Sequence, residues 1–286
     1  MKPPLVTGLI SAGGVHDSFL TRMPRILGRL GPVKAASLRV AARIVNSLRA
    51  GVAAEQYSEL EQCGLIWIAV PDAALDKIQR ELAAGTSFDG TMIVICGSMR
   101  SSLSPSPLRF GHARLATLNA IEQSDERAFI GEGDPDVMRE LDRMLAEEDR
   151  KLITIPPASK ALYIAGAHFA THLLLPWIAA AVESMREAGF SRRDATRVVE
   201  AMGTHSLRAY IKAGRKAWSP SAAPELQQAA ERGLETIRST NSDLAALYAD
   251  GIAQALRYFE GEHADLSERA SPSTRFEPAP AADRKG

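Results

Sequence analysis

Two histidines, His168 and His172, stand four residues apart in an apolar stretch, so on a helix they face the same side. Imidazole gains and loses a proton near neutral pH, which makes the pair a candidate for proton transfer. Zinc is a second chemistry open to a His-x-x-x-His pair. Here no glutamate follows the first histidine and no third ligand stands at a familiar spacing, so no metal site is expected. A third reading is structural: two interface histidines, each bonded to backbone or to a partner subunit.

A different chemistry is written near the N-terminus. Leu5-Val6-Thr7-Gly8-Leu9-Ile10 is an apolar run that ends in Ser11-Ala12-Gly13-Gly14-Val15. A strand, a small-residue turn and a helix start form the geometry that binds a pyrophosphate. Glycines let the backbone come close to the phosphates, and the helix N-terminus offers free N–H groups. Laid on Gly-x-Gly-x-x-Gly with Gly13 in the middle, the sequence has Ser11 at the first glycine position and His16 at the third. Ser11, Gly13, Gly14 and Val15 are the candidate phosphate contacts. A tight turn without a ligand is the alternative.

The elements that must position these groups follow along the chain. A helix is expected through Phe19, Leu20 and Met23, bent or ended by Pro24, then a strand at Val33 to Ser37 and a helix from Val40 to near Gly51. Leu65 to Val70 and Thr91 to Cys96 are continuous apolar runs, the pattern of strands buried on both faces. Between them Ala73 to Ala84 has helical spacing. Weaker strands are expected at Ala113 to Leu118, Ala128 to Gly131 and Lys151 to Ile155, with a helix at Pro135 to Glu147. Alternating strands and helices predict a parallel sheet with crossover helices.

Strand ends supply the remaining candidates. After the second strand comes Ala35-Ala36-Ser37-Leu38-Arg39, with no acid to take a ribose 2′-hydroxyl. A hydroxyl at Ser37 and guanidinium groups at Arg39 and Arg43 suit a 2′-phosphate, which favours NADP with NAD as the alternative. A solvated first helical turn explains the same residues without a ligand. Val70, Pro71 and Asp72 close one buried strand, and Cys96, Gly97 and Ser98 close the next. Ligands of open parallel sheets lie outside such ends, so both turns are cofactor candidates. Cys96 also reads as a small buried apolar residue.

Beyond Pro156-Pro157 only helical periodicity is found. A long helix is expected from Lys160 through about Ala188, then helices at Arg192 to Met202, Leu207 to Lys212, Pro224 to Ser239 and Asp243 to Phe259. The expected fold class is α/β: an N-terminal Rossmann-type parallel sheet (residues 1–155) with an all-helical C-terminal domain (156–261) for substrate and dimerisation. Residues 262–286 are rich in Ser, Pro, Glu and Arg and are expected to be disordered.

The order of the Gly13-Gly14 turn, Ser37-x-Arg39, Val70-Pro71-Asp72, Cys96-Gly97-Ser98 and the helix entered at Tyr163 resembles a family of uncharacterised proteins. These pair a Rossmann domain with a helical C-terminal domain and are related to pyrroline-5-carboxylate, ketopantoate and 3-hydroxyacid reductases. The likeness covers about Leu5 to Phe259. It implies NADP in the first domain, a homodimer built on the second, and hydride transfer to a small carbonyl or imine substrate. In the related hydroxyacid dehydrogenases the corresponding helix presents a lysine and an asparagine at the spacing of the two histidines. By that resemblance His168 is the proton donor and His172 or Thr171 the substrate anchor. The chain departs from its relatives at Ser11 and His16, at Asn119-Ala120 where many have His-Pro, and at Thr171-His172 where many have Ser-Asn. It also carries Ser219-Pro220-Ser221-Ala222-Ala223-Pro224-Glu225 where many have Gly-Pro-x-x-Arg-Gly-Asp.

These departures motivate a second hypothesis, a dimeric Rossmann-like protein that has lost catalysis and serves sensing or scaffolding. A metal-dependent hydrolase built on His168 and His172 is a weaker third. Composition bounds the rest. Lys plus Arg (34) balances Asp plus Glu (34), so no net field draws the chain to nucleic acid or an anionic membrane. Two cysteines suit a reducing compartment, and no apolar signal region follows Met1-Lys2-Pro3-Pro4, so a cytoplasmic protein is expected. Ala161 to Val182 runs 22 residues without a charged side chain other than histidine, long enough to span a bilayer. Its two histidines, Gly166 and Pro176 fit a buried interface helix better.

Overall fold

The computed structural model describes residues 5–14, 17–85, 88–121, 127–218 and 222–260. Val15, His16, Ser219 to Ser221 and the expected tail at 262–286 lie outside the described residues. Among those described, eight strands form one sheet: β1 (Thr7–Ser11), β2 (Leu30–Lys34), β3 (Val52–Ala54), β4 (Leu65–Ala69), β5 (Met92–Cys96), β6 (Arg114–Ala120), β7 (Ala128–Gly133) and β8 (Lys151–Thr154). They pair in the order β3-β2-β1-β4-β5-β6-β7-β8. All neighbours run parallel except β6 and β7. The link from Ala120 to Ala128 is too short for a crossover helix, which forces that pair antiparallel.

Continuous apolar runs fold as strands covered on both faces because alternate side chains leave the sheet in opposite directions. Leu9, Val33, Trp67, Val94 and Leu118 join one core with Ile44 and Leu141. Ile10, Ile66, Ile68, Ile93 and Ile95 join the other with Leu75 and Leu82. The covering helices are α1 (Pro24–Leu27), α2 (Leu38–Leu48), α3 (Asp72–Gly85), α4 (Pro107–Phe110) and α5 (Pro135–Glu147). Because β2 and β3 are added on one side of β1, and β4 and β5 on the other, the order of strand addition reverses between β1 and β4. That opens a crevice at their carboxyl ends.

Several elements differ from expectation. The helix expected after the glycine turn is a 3-10 helix, Ser18–Arg22, followed by the four-residue α1. Pro24 has no N–H to give a continuing helix, and it disfavours helical backbone at Met23. Strand β2 starts earlier, at Leu30, and takes in Gly31-Pro32. The turn at Gly51 packs against it so closely that a Cβ there would lie 2.8 Å from the Gly31 carbonyl oxygen. Strand β3 is too short to show periodicity. Helix α2 ends one turn before Gly51, on Arg49 in the left-handed region.

Cα packing divides the chain into one unit ending at His168 and a second starting at Phe169. The long helix expected through Ala188 is two: α6 (Lys160–Ala170) and α7 (Leu175–Glu187), with turns at 171–174. Pro176 sits in the first turn of α7, where its missing N–H is harmless but a helix running through it from α6 is not. Conversely, α8 (Arg192–Ala213) runs unbroken where two helices were expected, started by the Ser191 hydroxyl accepting from Asp194 N–H at 3.1 Å. Helices α9 (Ala222–Thr240) and α10 (Ser242–Glu260) pack on each other. Gly251 of α10 lies against the Trp177 ring of α7.

Candidate functional site

Strand β1 delivers Ser11 to the mouth of the crevice. Its hydroxyl accepts from Gly13 N–H at 2.8 Å and donates to a carboxylate oxygen of Asp17 at 2.7 Å. Ser11 and Asp17 are both buried. Serine therefore serves where glycine is usual by turning inward and bracing the turn. Gly13 and Gly14 have φ of +79° and +69°, conformations that side chains resist. Among the described residues a Cβ on Gly14 would meet nothing within 4 Å, whereas one on Gly13 would lie 3.4 Å from the Ile44 side chain. The cradle differs from the usual one in two ways. A buried carboxylate lies close beneath it, and a short 3-10 helix rather than a long α-helix follows it, so little helix dipole is available.

Beside the turn lies a cleft of about 500 Å³, bounded by Ser11 and Ala12, by Lys34 to Ala36 after β2, and by Tyr57, Val70 and Ile78. Lys34 Nζ donates to the Ala35 carbonyl at 2.6 Å and stands 5.0 Å from the centre of the Tyr57 ring. Tyr57 donates to Glu81 at 3.1 Å; burial first, and Glu81 second, push its hydroxyl up to about 12, so it stays a neutral donor. Among the described residues the cleft is lined by two cations, Lys34 and Lys77, and two carboxylates, Glu55 and Glu81, with Lys77 3.7 Å from Glu81. Ser37 is instead the cap of α2, accepting from Val40 N–H at 3.3 Å, and both Ser37 and Arg39 are exposed outside the cleft lining. Reading β2 in its true register would have put Lys34 at the strand end.

The next two strand ends are stapled together. Val70 lines the cleft and Pro71 is exposed. Asp72 opens α3, and its carboxylate accepts from the Ser98 hydroxyl at 2.6 Å and from Met99 N–H at 3.0 Å. Gly97, at φ +68°, sends its N–H to the Leu118 carbonyl at 2.9 Å. Cys96 faces the core, and burial pushes its thiol well above the ordinary range.

A lysine that the motifs did not single out completes this end. Lys160, the first residue of α6, is only 1% exposed. Its ammonium donates to the Thr117 hydroxyl at 2.8 Å and to the Asn119 side-chain carbonyl, both on β6. Thr117 in turn donates to Glu132 at 2.7 Å. Glu132 is fully buried on β7 and also accepts from Ser102 N–H at 2.7 Å and the Ser102 hydroxyl at 2.6 Å. Asn119 donates to the Ser98 carbonyl at 3.2 Å. One polar network thus joins α6, β6, β7 and the turn after β5. Burial pushes the Lys160 ammonium down from the ordinary lysine range, opposed by the charges of Glu132 and Asp72. The one signal in the sequence is a lone lysine opening an apolar helix after a proline pair.

The histidines are placed differently from expectation. His168 lies in the last turn of α6 and is half-buried. Thr171 and His172 lie in the turn beyond it, exposed, with Thr171 Oγ1 3.1 Å from His172 Nδ1. Since α6 stops at Ala170, the helical rule that put both imidazoles on one face does not apply. Among the described residues, no group of three His, Cys, Asp or Glu side chains is arranged to hold a metal.

No protein-family model matches the chain, and no curated protein matches it. Solved structures do. An imine reductase from Aspergillus terreus, in complex with NADPH4 and dibenz[c,e]azepine, matches with TM-score 0.67 at 15% identity, over 93% of this chain and 98% of that one. An imine reductase variant from Myxococcus stipitatus in complex with NAD+ gives 0.61 at 12%, over 90% and 95%. A pyrroline-5-carboxylate reductase from Coxiella burnetii gives 0.53 at 12%, over 90% and 98%. What these share with the chain is the fold: a Rossmann-type α/β sheet domain followed by a helical region.

Proposed function

We propose that the chain is an NADP-dependent reductase, with NAD as its second nucleotide, that transfers a hydride to a small carbonyl or imine substrate. The observation that carries this is the Gly13-Gly14 turn at the switch point between β1 and β4, beside the cleft, with no described residue within 4 Å of a Cβ on Gly14. The residues present suit a dinucleotide: a backbone turn for phosphates, Lys34 for a phosphate on the ribose, and the stapled turns at Asp72 and Ser98 for the nicotinamide end. The imine reductases named above, described with NADPH4 and with NAD+, favour this nucleotide class.

A bound nicotinamide supplies the hydride. The chain's own residues bind and orient it, exclude water and provide the proton that the reduced oxygen or nitrogen takes up. By the resemblance to the hydroxyacid dehydrogenases we assign that proton to His168, the half-buried histidine in the last turn of α6. The exposed apolar side chains of the helical region, among them Phe169, Trp177, Leu207 and Ile211, are the surface for a second copy in a homodimer.

A second reading, a Rossmann-like protein used for sensing or scaffolding, draws on the buried Asp17 carboxylate beneath the turn, which opposes a pyrophosphate. A thermal-shift titration with NADPH, NADH and zinc separates the readings, since a ligand of the native state raises its stability. Selective stabilisation by NADPH supports the reductase, no shift with either nucleotide removes it, and a zinc shift abolished by His172→Ala supports a hydrolase.

A further inference from the structure

Among the described residues no carboxylate touches the Lys160 ammonium, so the buried charge of Glu132 is offset only across the Thr117 hydroxyl. Taking an ammonium fully out of water is costly, and Lys160→Met together with Glu132→Gln would fill the same space without either buried charge. The hydrogen-bond partners of Lys160 are the neutral oxygens of Thr117 and Asn119 rather than a carboxylate. What an ammonium does supply is direction, because it donates and cannot accept. It obliges Thr117 to give its own proton to Glu132. It obliges Asn119 to turn its carbonyl toward Lys160, which aims the amide N–H at the Ser98 carbonyl. The Ser98 hydroxyl is held at the other end by Asp72.

We propose that Lys160 is a positioning residue for the nicotinamide end of the site. Acting through Asn119, it holds the Gly97-Ser98 turn at the carboxyl end of β5, the surface on which a nicotinamide rests. The turn itself has no regular structure to hold it: Gly97 stands at φ +68°, with one backbone bond to β6. Asn119 supplies the second tie to the same strand, and Lys160 keeps that amide from flipping. The proposal rests on the dinucleotide reading above.

The test compares two ligands of the full-length protein, NADPH and 2′,5′-ADP, which keeps the adenosine end and lacks the nicotinamide. Calorimetric Kd values are measured for the wild type, Lys160→Met, Asn119→Ala and the double variant. The expected result is a loss of about tenfold in NADPH affinity for each single variant and no further loss in the double, with 2′,5′-ADP changed by less than about twofold throughout. Equal weakening of both ligands, unchanged NADPH binding, or losses that multiply in the double variant would each overturn the role. If Lys160→Met does not fold, Lys160→Met with Glu132→Gln removes both buried charges and carries the same expectation. A wild type that binds neither ligand overturns the dinucleotide reading and this proposal together. One that binds both ligands equally overturns this proposal alone.

Discussion

Ser11 donates its hydroxyl proton to Asp17 at 2.7 Å while accepting from Gly13 N–H, so the residue that breaks the glycine motif is also what braces the turn. Truncation to Ser11→Ala leaves a buried carboxylate short of a donor. The expected cost is about 1–3 kcal/mol in denaturant unfolding. A change below about 0.5 kcal/mol would show that the brace carries no stability.

Asp17 sets a negative charge beneath the place where phosphates would sit. Asp17→Asn keeps an acceptor for Ser11 and removes the charge, so NADPH should bind several-fold more tightly. Isothermal titration at low salt is the measurement. Unchanged or weaker binding would count against a phosphate at this turn.

Lys34 lines the cleft and Arg39 does not. Lys34→Met should therefore weaken NADPH by roughly tenfold and NADH by less, with Arg39→Ala smaller in effect than Lys34→Met. Fluorescence titration of both nucleotides decides it. If Arg39→Ala proves the more damaging, the 2′-phosphate is held where the sequence motif placed it.

Burial lowers the Lys160 pKa in the folded state, so the unfolded state holds more protons between that lowered value and the ordinary lysine value of about 10.4. In that alkaline window stability should rise with pH relative to Lys160→Met, because deprotonation relieves the buried charge. Below the window the penalty is fully present. Urea unfolding of both proteins in a series of alkaline buffers measures the difference, and parallel pH profiles would refute it.

Leu207 and Ile211 stand one turn apart on α8, both exposed. Charging them, as Leu207→Glu with Ile211→Glu, should convert a dimer to a monomer in sedimentation velocity. A wild type that is already monomeric contradicts the homodimer. The stretch 157–187 is long and apolar enough to cross a bilayer, so co-flotation with lipid vesicles would point to a membrane instead.

Much of the sheet was legible because strands buried on both faces must be apolar throughout. Leu65 to Val70 and Thr91 to Cys96 could hardly fold otherwise. Likewise Pro135 marks the first turn of α5, and that helix was found at its observed bounds. Short elements such as β3 left no pattern. The break at 171–174 was hidden because α6 and α7 share one apolar composition and only Pro176 separates them.

By itself, then, the sequence determined the alternation of buried strands and helices, the glycine turn after β1 and the helical second half, because local periodicity and backbone preference act over neighbouring residues. The tertiary structure alone decided which polar groups meet. Lys160 reaches Thr117 across 43 positions, Asp72 reaches Ser98 across 26, and Lys34 rather than Arg39 lines the cleft. Such pairings depend on strand order and register, and a buried hydrogen bond leaves no mark in the spacing of the residues that make it.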